Sequence, residues 1–241
     1  MEVFVSSPFG NIMNFKNTTP IRGSFTWQKR RGMVKQWLMT VRPYDGGWYN
    51  NIGLRNPGIT SIKEFKHDCV YSIAAIEPTD WYMLWEYILT HSDPSKIRLE
   101  LNVSCPNVDK VSLPEMALRL FLDHFENVQV KYSPLVDVKT IQNHVDHGVK
   151  TAHLSNTLPT KHGGASGIFQ KEINLDTVYN IHKFVPDVRI IAGGGIYNVG
   201  DARDYWSCGA TDISVSTLCF NPIKAKKVIE MIQVEAKNAR L

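Results

Sequence analysis

Residues 99–110 read LELNVSCPNVDK, and four short polar side chains, Asn102, Ser104, Cys105 and Asn107, crowd into six positions. Leu99, Leu101 and Val103 alternate with Glu100, Asn102 and Ser104, which predicts a β-strand that delivers carboxamides, a hydroxyl and a thiol to its own end. A second group with chemical potential lies late in the chain. RIIAGGGI (189–196) is an apolar run breaking into three glycines, followed by the helical pattern YNVGDARDYW. Glycine lets backbone approach a ligand closely, and amides at the start of a helix attract anions. One unit later, SVSTLCFNP ends a further apolar run in Ser216 and Thr217. Two neighbouring loops of this kind predict a phosphate grip. The spacing is not G-x-G-x-x-G, so no dinucleotide fingerprint is present. A further cluster, HGGASG (162–167), follows Asn156 and Thr157 and reads either as a flexible loop or as one that closes over a flat ligand.

These residues need strands to hold them. Short apolar runs recur at 37–42, 69–75, 98–104, 128–133, 151–156, 188–194 and 212–217, with a weaker eighth near 19–25. Several are almost continuously apolar, as parallel strands buried on both faces are. Helical patterns separate them at 79–92, 112–125, 140–148, 175–185, 199–209 and 222–236. In the second of these Ser112 is the expected N-cap, and Leu118, Phe121, Leu122 and Phe125 share one face. Strand and helix alternate at roughly 25–30 residues per unit, which predicts an α/β fold with a parallel sheet. Eight units favour a closed (β/α)8 TIM barrel over an open doubly wound sheet. In a barrel the strand ends share one face. Here those ends carry Asn102, Cys105 and Asn107, then Lys131 and Ser133, Asn156 and Thr157, the glycines 193–195, and Ser216 and Thr217.

Composition narrows the class. With 241 residues and no low-complexity or Pro/Ser linker segment, residues 1–241 read as a single domain. A net charge of +4 does not argue for a nucleic-acid partner, and the basic run QKRRGMVK (28–35) reads as a solvated rim. Four dispersed cysteines without a C-x-x-C pair predict a reduced, cytoplasmic protein with no metal centre. No signal peptide or membrane span is expected from the apolar runs.

In order along the chain, LNVSCPNV, VKYSP (130–134), SNT (155–157), GGASG, IIAGGGI…DARDYWSCGA and STL resemble the dihydroorotate dehydrogenases, FMN-dependent (β/α)8 barrels of pyrimidine biosynthesis. YNNIGLRNPG (49–58) is similar to that family's asparagine-containing substrate loop. The resemblance covers about residues 15–225.

The resemblance implies an oxidoreductase that oxidises dihydroorotate to orotate: hydride leaves ring C6 for flavin N5, and a base takes the C5 proton. In the soluble cysteine-using branch that base sits where Cys105 sits. Asn50, Asn102, Asn107 and Asn156, with Thr157, would meet the pyrimidine. A carboxamide matches its alternating N–H and C=O groups without adding charge. Backbone amides around Ile52, Gly53 and Leu54 would face the substrate carboxylate. Lys131 would stand by the flavin's pyrimidine end, opposing negative charge that develops there. Gly167, Gly194, Gly195, Ser216 and Thr217 would hold the ribityl phosphate. A homodimer is the family expectation, and the electron acceptor is open.

The sequence also departs from the pattern. Family members carry a lysine at the end of an early strand, and the alignment places Trp37 there. Lys35, two residues away on the same side of a strand, is the candidate substitute. Two alternatives therefore stand beside the first reading. One is an FMN oxidoreductase on the same scaffold acting on another dihydropyrimidine or on dihydrouridine in RNA. The other is a non-catalytic barrel that binds a phosphate-bearing ligand.

Overall fold

The computed structural model describes residues 1–104 and 111–238. Cys105 and Asn107 lie outside the described residues. Twelve strands and seven α-helices follow in chain order: β1 (Val3–Val5), β2 (Thr19–Phe25), α1 (Met33–Thr40), β3 (Arg42–Tyr44), β4 (Gly47–Asn50), β5 (Val70–Ile73), α2 (Asp80–His91), β6 (Arg98–Asn102), α3 (Glu115–His124), β7 (Asn127–Tyr132), α4 (Val138–Asp146), β8 (Thr151–Leu154), β9 (Leu158–Thr160), β10 (Gly163–Gly167), α5 (Gln170–Phe184), β11 (Arg189–Gly193), α6 (Val199–Ser207), β12 (Asp212–Val215) and α7 (Pro222–Asn238). Strands β1, β2, β5, β6, β7, β8, β11 and β12 pair in parallel and close into a barrel. The expected (β/α)8 architecture is the one observed.

Two apolar regions hold it together. The larger lies between the strands and helices α2–α7, where Trp81, Leu84 and Ile88 of α2 and Leu118 and Phe121 of α3 are fully buried. The smaller plugs the lumen with Phe4, Ile21, Val70 and Ile191. Above that plug the inward positions turn polar, with Ser72, Glu100, Gln129, His153 and Ser214 buried. Below it, Arg98 pairs with Glu2, and Arg189 with the fully buried Asp212. Ion pairs on that face support stability, since barrel sites form at the opposite, C-terminal end.

Three expectations need correction. Residues 37–42 are not a barrel strand: 33–40 form α1, opened by Gly32 in the left-handed region and followed by Pro43. Its apolar residues suggested a buried strand, yet none of α1 is buried, and Val34, Leu38 and Met39 face solvent. The strands at that end of the barrel are instead Val3–Val5, which the sequence reading passed over, and Thr19–Phe25. The glycine cluster 162–167 is not a flexible loop: Gly163–Gly167 form β10 in a four-stranded antiparallel sheet, β3-β4-β10-β9. A Cβ on Gly163 would lie 2.3 Å from the Asn50 carbonyl, and one on Gly167 equally close to that of Gly46, so only glycine permits this pairing. Finally, α3 is capped at Pro114, one residue before its first turn, and not at Ser112. Ser112 instead turns its carbonyl to the indole N–H of Trp81.

Candidate active site

A cavity opens at the C-terminal mouth of the barrel, the end at which sites form in this fold. The strand ends supply Ser6 and Ser7, Lys131, Ser155, Asn156 and Thr157, Gly194 and Gly195, and Ser216 and Thr217. The antiparallel sheet supplies Trp48, Asn50 and Ser166, and Trp37, Ile52, Gln170 and Phe220 complete the wall. Trp48 stacks on Phe220 at 4.0 Å between ring centroids, which gives the cavity an aromatic side.

Ten of the expected residues therefore meet there: Trp37, Asn50, Ile52, Lys131, Asn156, Thr157, Gly194, Gly195, Ser216 and Thr217. Asn102 stands just behind them. Asn156 donates to its Oδ1 and to Ser104 Oγ, each at 3.0 Å, and Asn102 donates to Ser24 Oγ at 2.9 Å. The carboxamides thus organise one another, and among the described residues Asn102 keeps one N–H and Asn156 one lone pair for a ligand.

Lys35, Gly53, Leu54 and Gly167 do not line the cavity. Lys35 is exposed on α1. Two residues apart on a helix face different sides, so it does not stand in for Trp37. The Gly53 carbonyl holds Arg30, that of Leu54 holds Asn56, and Gly167 packs on Gly46 and Gly47. Trp37 stands on α1 and not at a strand end, although it lines the cavity. Among the described residues, Lys131 is the one lysine on the cavity wall.

The late loops have the anion-binding shape common in barrels, after the seventh and eighth strands and at a short extra helix. Here that helix is the single turn Thr217–Phe220, and the Ser216 side chain makes no capping hydrogen bond to it. The start of α6 does not contribute as expected. Asp201 accepts from the backbone N–H groups of Tyr197 and Asn198, and Asn198 caps Asp201 in return. That helix end already holds a carboxylate, so an anion would rest on the glycines and hydroxyls. The glycine turn is fixed from behind by Asn174, which donates to Gly193 O at 2.5 Å, and by Tyr205, which donates to Gly194 O at 2.6 Å.

Lys131 is the chemically conspicuous wall residue. It is only 6% exposed, and its ammonium makes no hydrogen bond or ion pair among the described residues. Its charge is balanced through space by Glu100, which is wholly buried beneath it. Burial alone would raise the Glu100 carboxyl, but His153, Lys131 and Gln129 outweigh it and bring it down to about 2. Burial moves His153 the other way from protonation, below its ordinary value. Both shifts make the unfolded chain bind more protons, so stability is lost as pH falls: from His153 below about 6.5 and from Glu100 below about 4.5. Glu100→Gln is expected to flatten the lower part of the profile of denaturation midpoint against pH. An unchanged slope below pH ~4.5 would contradict an ionised Glu100.

Sequence reasoning missed Ser6, Ser7, Ser155 and Gln170. The first two were legible, since VFVSSP is an apolar run ending in hydroxyls. Gln170 was not, because it reaches the Asn156 carbonyl from the start of α5.

A closed barrel whose late loops offer glycines and hydroxyls, and whose wall offers a buried lysine, has the make-up of a (β/α)8 enzyme. Comparison with known proteins narrows this. The dihydroorotate dehydrogenase family model matches residues 12–235. The dihydroorotate dehydrogenase B (NAD(+)) catalytic subunit of Staphylococcus carnosus is 31% identical, over 79% of this chain and 72% of its own. That of Petrotoga mobilis is 32% identical, over 78% and 73%. Among solved structures, dihydroorotate dehydrogenase from Eimeria tenella with ferulenol superposes with a TM-score of 0.72 at 18% identity, covering 99% of this chain and 82% of the other, which establishes the shared fold. The chain belongs to the dihydroorotate dehydrogenase family, flavin oxidoreductases that oxidise dihydroorotate in pyrimidine biosynthesis. Among the described residues no helix is long and apolar enough to cross a membrane.

Proposed function

We propose that this chain binds FMN in the barrel-mouth cavity and oxidises dihydroorotate to orotate there. The observation that carries this reading is Lys131, a buried ammonium on the cavity wall without a protein hydrogen-bond partner among the described residues. The donor set fits the group: a cation and polar floor for a pyrimidine ring, an aromatic side, and glycines with free hydroxyls for a phosphate. Gly194, Gly195, Ser216 and Thr217 would hold that phosphate. Bound FMN supplies an acceptor for the hydride that leaves substrate C6.

The remaining work falls to this chain. Cys105 takes the proton from substrate C5 onto Sγ, which requires the thiolate. Lys131 opposes the negative charge that accompanies hydride transfer. Asn50, Asn102, Asn107, Asn156 and Thr157 orient the ring by uncharged hydrogen bonds. The relatives' names call them catalytic subunits and give NAD+ as their oxidant; on this reading electrons leave the present chain for a second subunit.

One observation favours a second reading. Among the described residues, Lys131 is the one lysine lining the cavity, so no second lysine meets a substrate carboxylate there, which suits a dihydropyrimidine lacking that carboxylate. The first test of cofactor binding is flavin content. The purified chain, saturated with FMN and dialysed, is expected to retain it stoichiometrically and to release it on denaturation. A chain that retains none contradicts both readings.

A further inference from the structure

Beneath the cavity floor, four side chains carried by β6, β7 and β8 form one hydrogen-bonded line. Glu100 Oε2 accepts from Gln129 Nε2 at 2.7 Å and lies 2.6 Å from His153 Nδ1. His153 Nε2 lies 2.5 Å from Ser155 Oγ, and Ser155 lines the cavity. Glu100 and His153 are both fully buried, so no water completes either group's bonding from bulk solvent. His153 is the register partner of Lys131 on the adjacent strand, and Ser155, two residues further along, lines the same cavity as the lysine.

Hydrogen-bond accounting fixes the polarity of this line. An ionised carboxylate only accepts, so His153 must place its single proton on Nδ1. Its Nε2 is then a lone pair, and the Ser155 hydroxyl spends its only proton there. What Ser155 shows to the cavity is acceptor capacity alone. Lys131, beside it, can only donate. An acceptor next to a donor is complementary to a ring edge carrying N–H next to C=O, the edge of a cyclic imide or lactam.

We propose that Ser155 is a specificity-determining acceptor, held in that polarity by the Glu100–His153 pair, that reads a ring N–H of the ligand beside Lys131. The inference rests on the functional reading above. Two ligands bear such an edge there, the flavin's pyrimidine ring and the dihydropyrimidine substrate. Burial, which disfavours a charged imidazole, keeps His153 neutral as the accounting needs. His153 touches no ligand and is a positioning residue.

The test compares ligands that differ only at the ring nitrogen. FMN and N3-methyl-FMN, and orotate and its ring-N-methylated analogues, are titrated into wild type, Ser155→Ala, Ser155→Cys and His153→Leu. For the FMN pair, wild type is expected to prefer the N–H form by about tenfold or more, the scale of one polar contact left unpaired. Ser155→Ala, Ser155→Cys and His153→Leu are expected to bring that ratio close to one while native circular dichroism is kept. If discrimination is instead lost only for the orotate pair, Ser155 reads the substrate. The imidazole nitrogen-15 shifts of wild type check the lock directly, with Nδ1 protonated and Nε2 bare. The opposite tautomer, or undiminished discrimination for both ligand pairs in folded Ser155→Ala or Ser155→Cys, overturns the inference and leaves the functional reading standing. A wild type that binds neither FMN nor orotate overturns both.

Discussion

Lys131→Met is expected to slow reduction of the bound cofactor by about 10²–10³-fold and to destabilise the fold at the same time. The rate loss follows from removing a preorganised cation from the place where negative charge develops. The stability loss has a separate cause. Glu100, fully buried, keeps its hydrogen bonds to His153 and Gln129 but loses its opposing cation. Breaking a buried charge pair from one side costs about 3–5 kcal/mol, and the remaining donors place this case at the lower end. The two causes separate in a double variant. Adding Glu100→Gln removes the stranded charge, so Lys131→Met with Glu100→Gln should recover stability while remaining slow. Rapid-mixing reduction kinetics and thermal denaturation read the two effects. A single variant that is reduced as fast as wild type removes Lys131 from the proposed chemistry.

Gly194→Ala is expected to abolish tight FMN binding. Gly194 has φ +99°, a region that costs a side-chain-bearing residue about 1–3 kcal/mol. Its new Cβ would also stand 2.3 Å from Asn174 Nδ2 and 3.0 Å from Gln170 Cδ. Neither neighbour is idle: Asn174 holds the Gly193 carbonyl and Gln170 holds that of Asn156. Displacing them disturbs both the turn proposed to hold the phosphate and an asparagine proposed to meet the substrate, and each buried hydrogen bond lost adds about 1–3 kcal/mol. Gly148→Ala is the control. It bears a similar positive φ of +105° at the end of α4, yet its Cβ meets nothing closer than Leu122 Cδ1 at 3.7 Å. It should lose stability and keep FMN affinity. Equal FMN affinity in Gly194→Ala and wild type would contradict the assignment of the glycine turn to the cofactor.

The strands β6, β7, β8, β11 and β12 were legible because burial on both faces leaves an apolar run, and their polar ends marked the mouth. The first units were harder. Val3–Val5 is three residues long, and Thr19–Phe25 is interrupted by Arg22 and Gly23, so neither has a clean apolar signature. Residues 33–40 misled for the opposite reason: apolar side chains on an exposed helix look like core until tertiary structure shows nothing covering them. Because that segment is helical, Trp37 and Lys35 do not stand at a strand end. Within the site, Lys131, Asn156 and the glycine and hydroxyl loops could be read because each sits at its own strand's end. The Glu100–His153–Ser155 line could not, since it joins side chains 53 residues apart through the barrel lumen. The capping role of Asp201 was likewise hidden, because a carboxylate in a first helical turn does not announce which amides it will occupy.

On the proposed function, this cavity would hold FMN, which would supply the acceptor for the hydride of dihydroorotate. The most direct test is the visible spectrum of the FMN-loaded chain, recorded without oxygen as dihydroorotate is added. The account predicts that the flavin absorption bleaches in proportion to substrate, with orotate formed in equal amount, and that Cys105→Ala bleaches far more slowly. A flavin spectrum that stays unchanged with dihydroorotate, in a chain that a chemical reductant still bleaches, would contradict it.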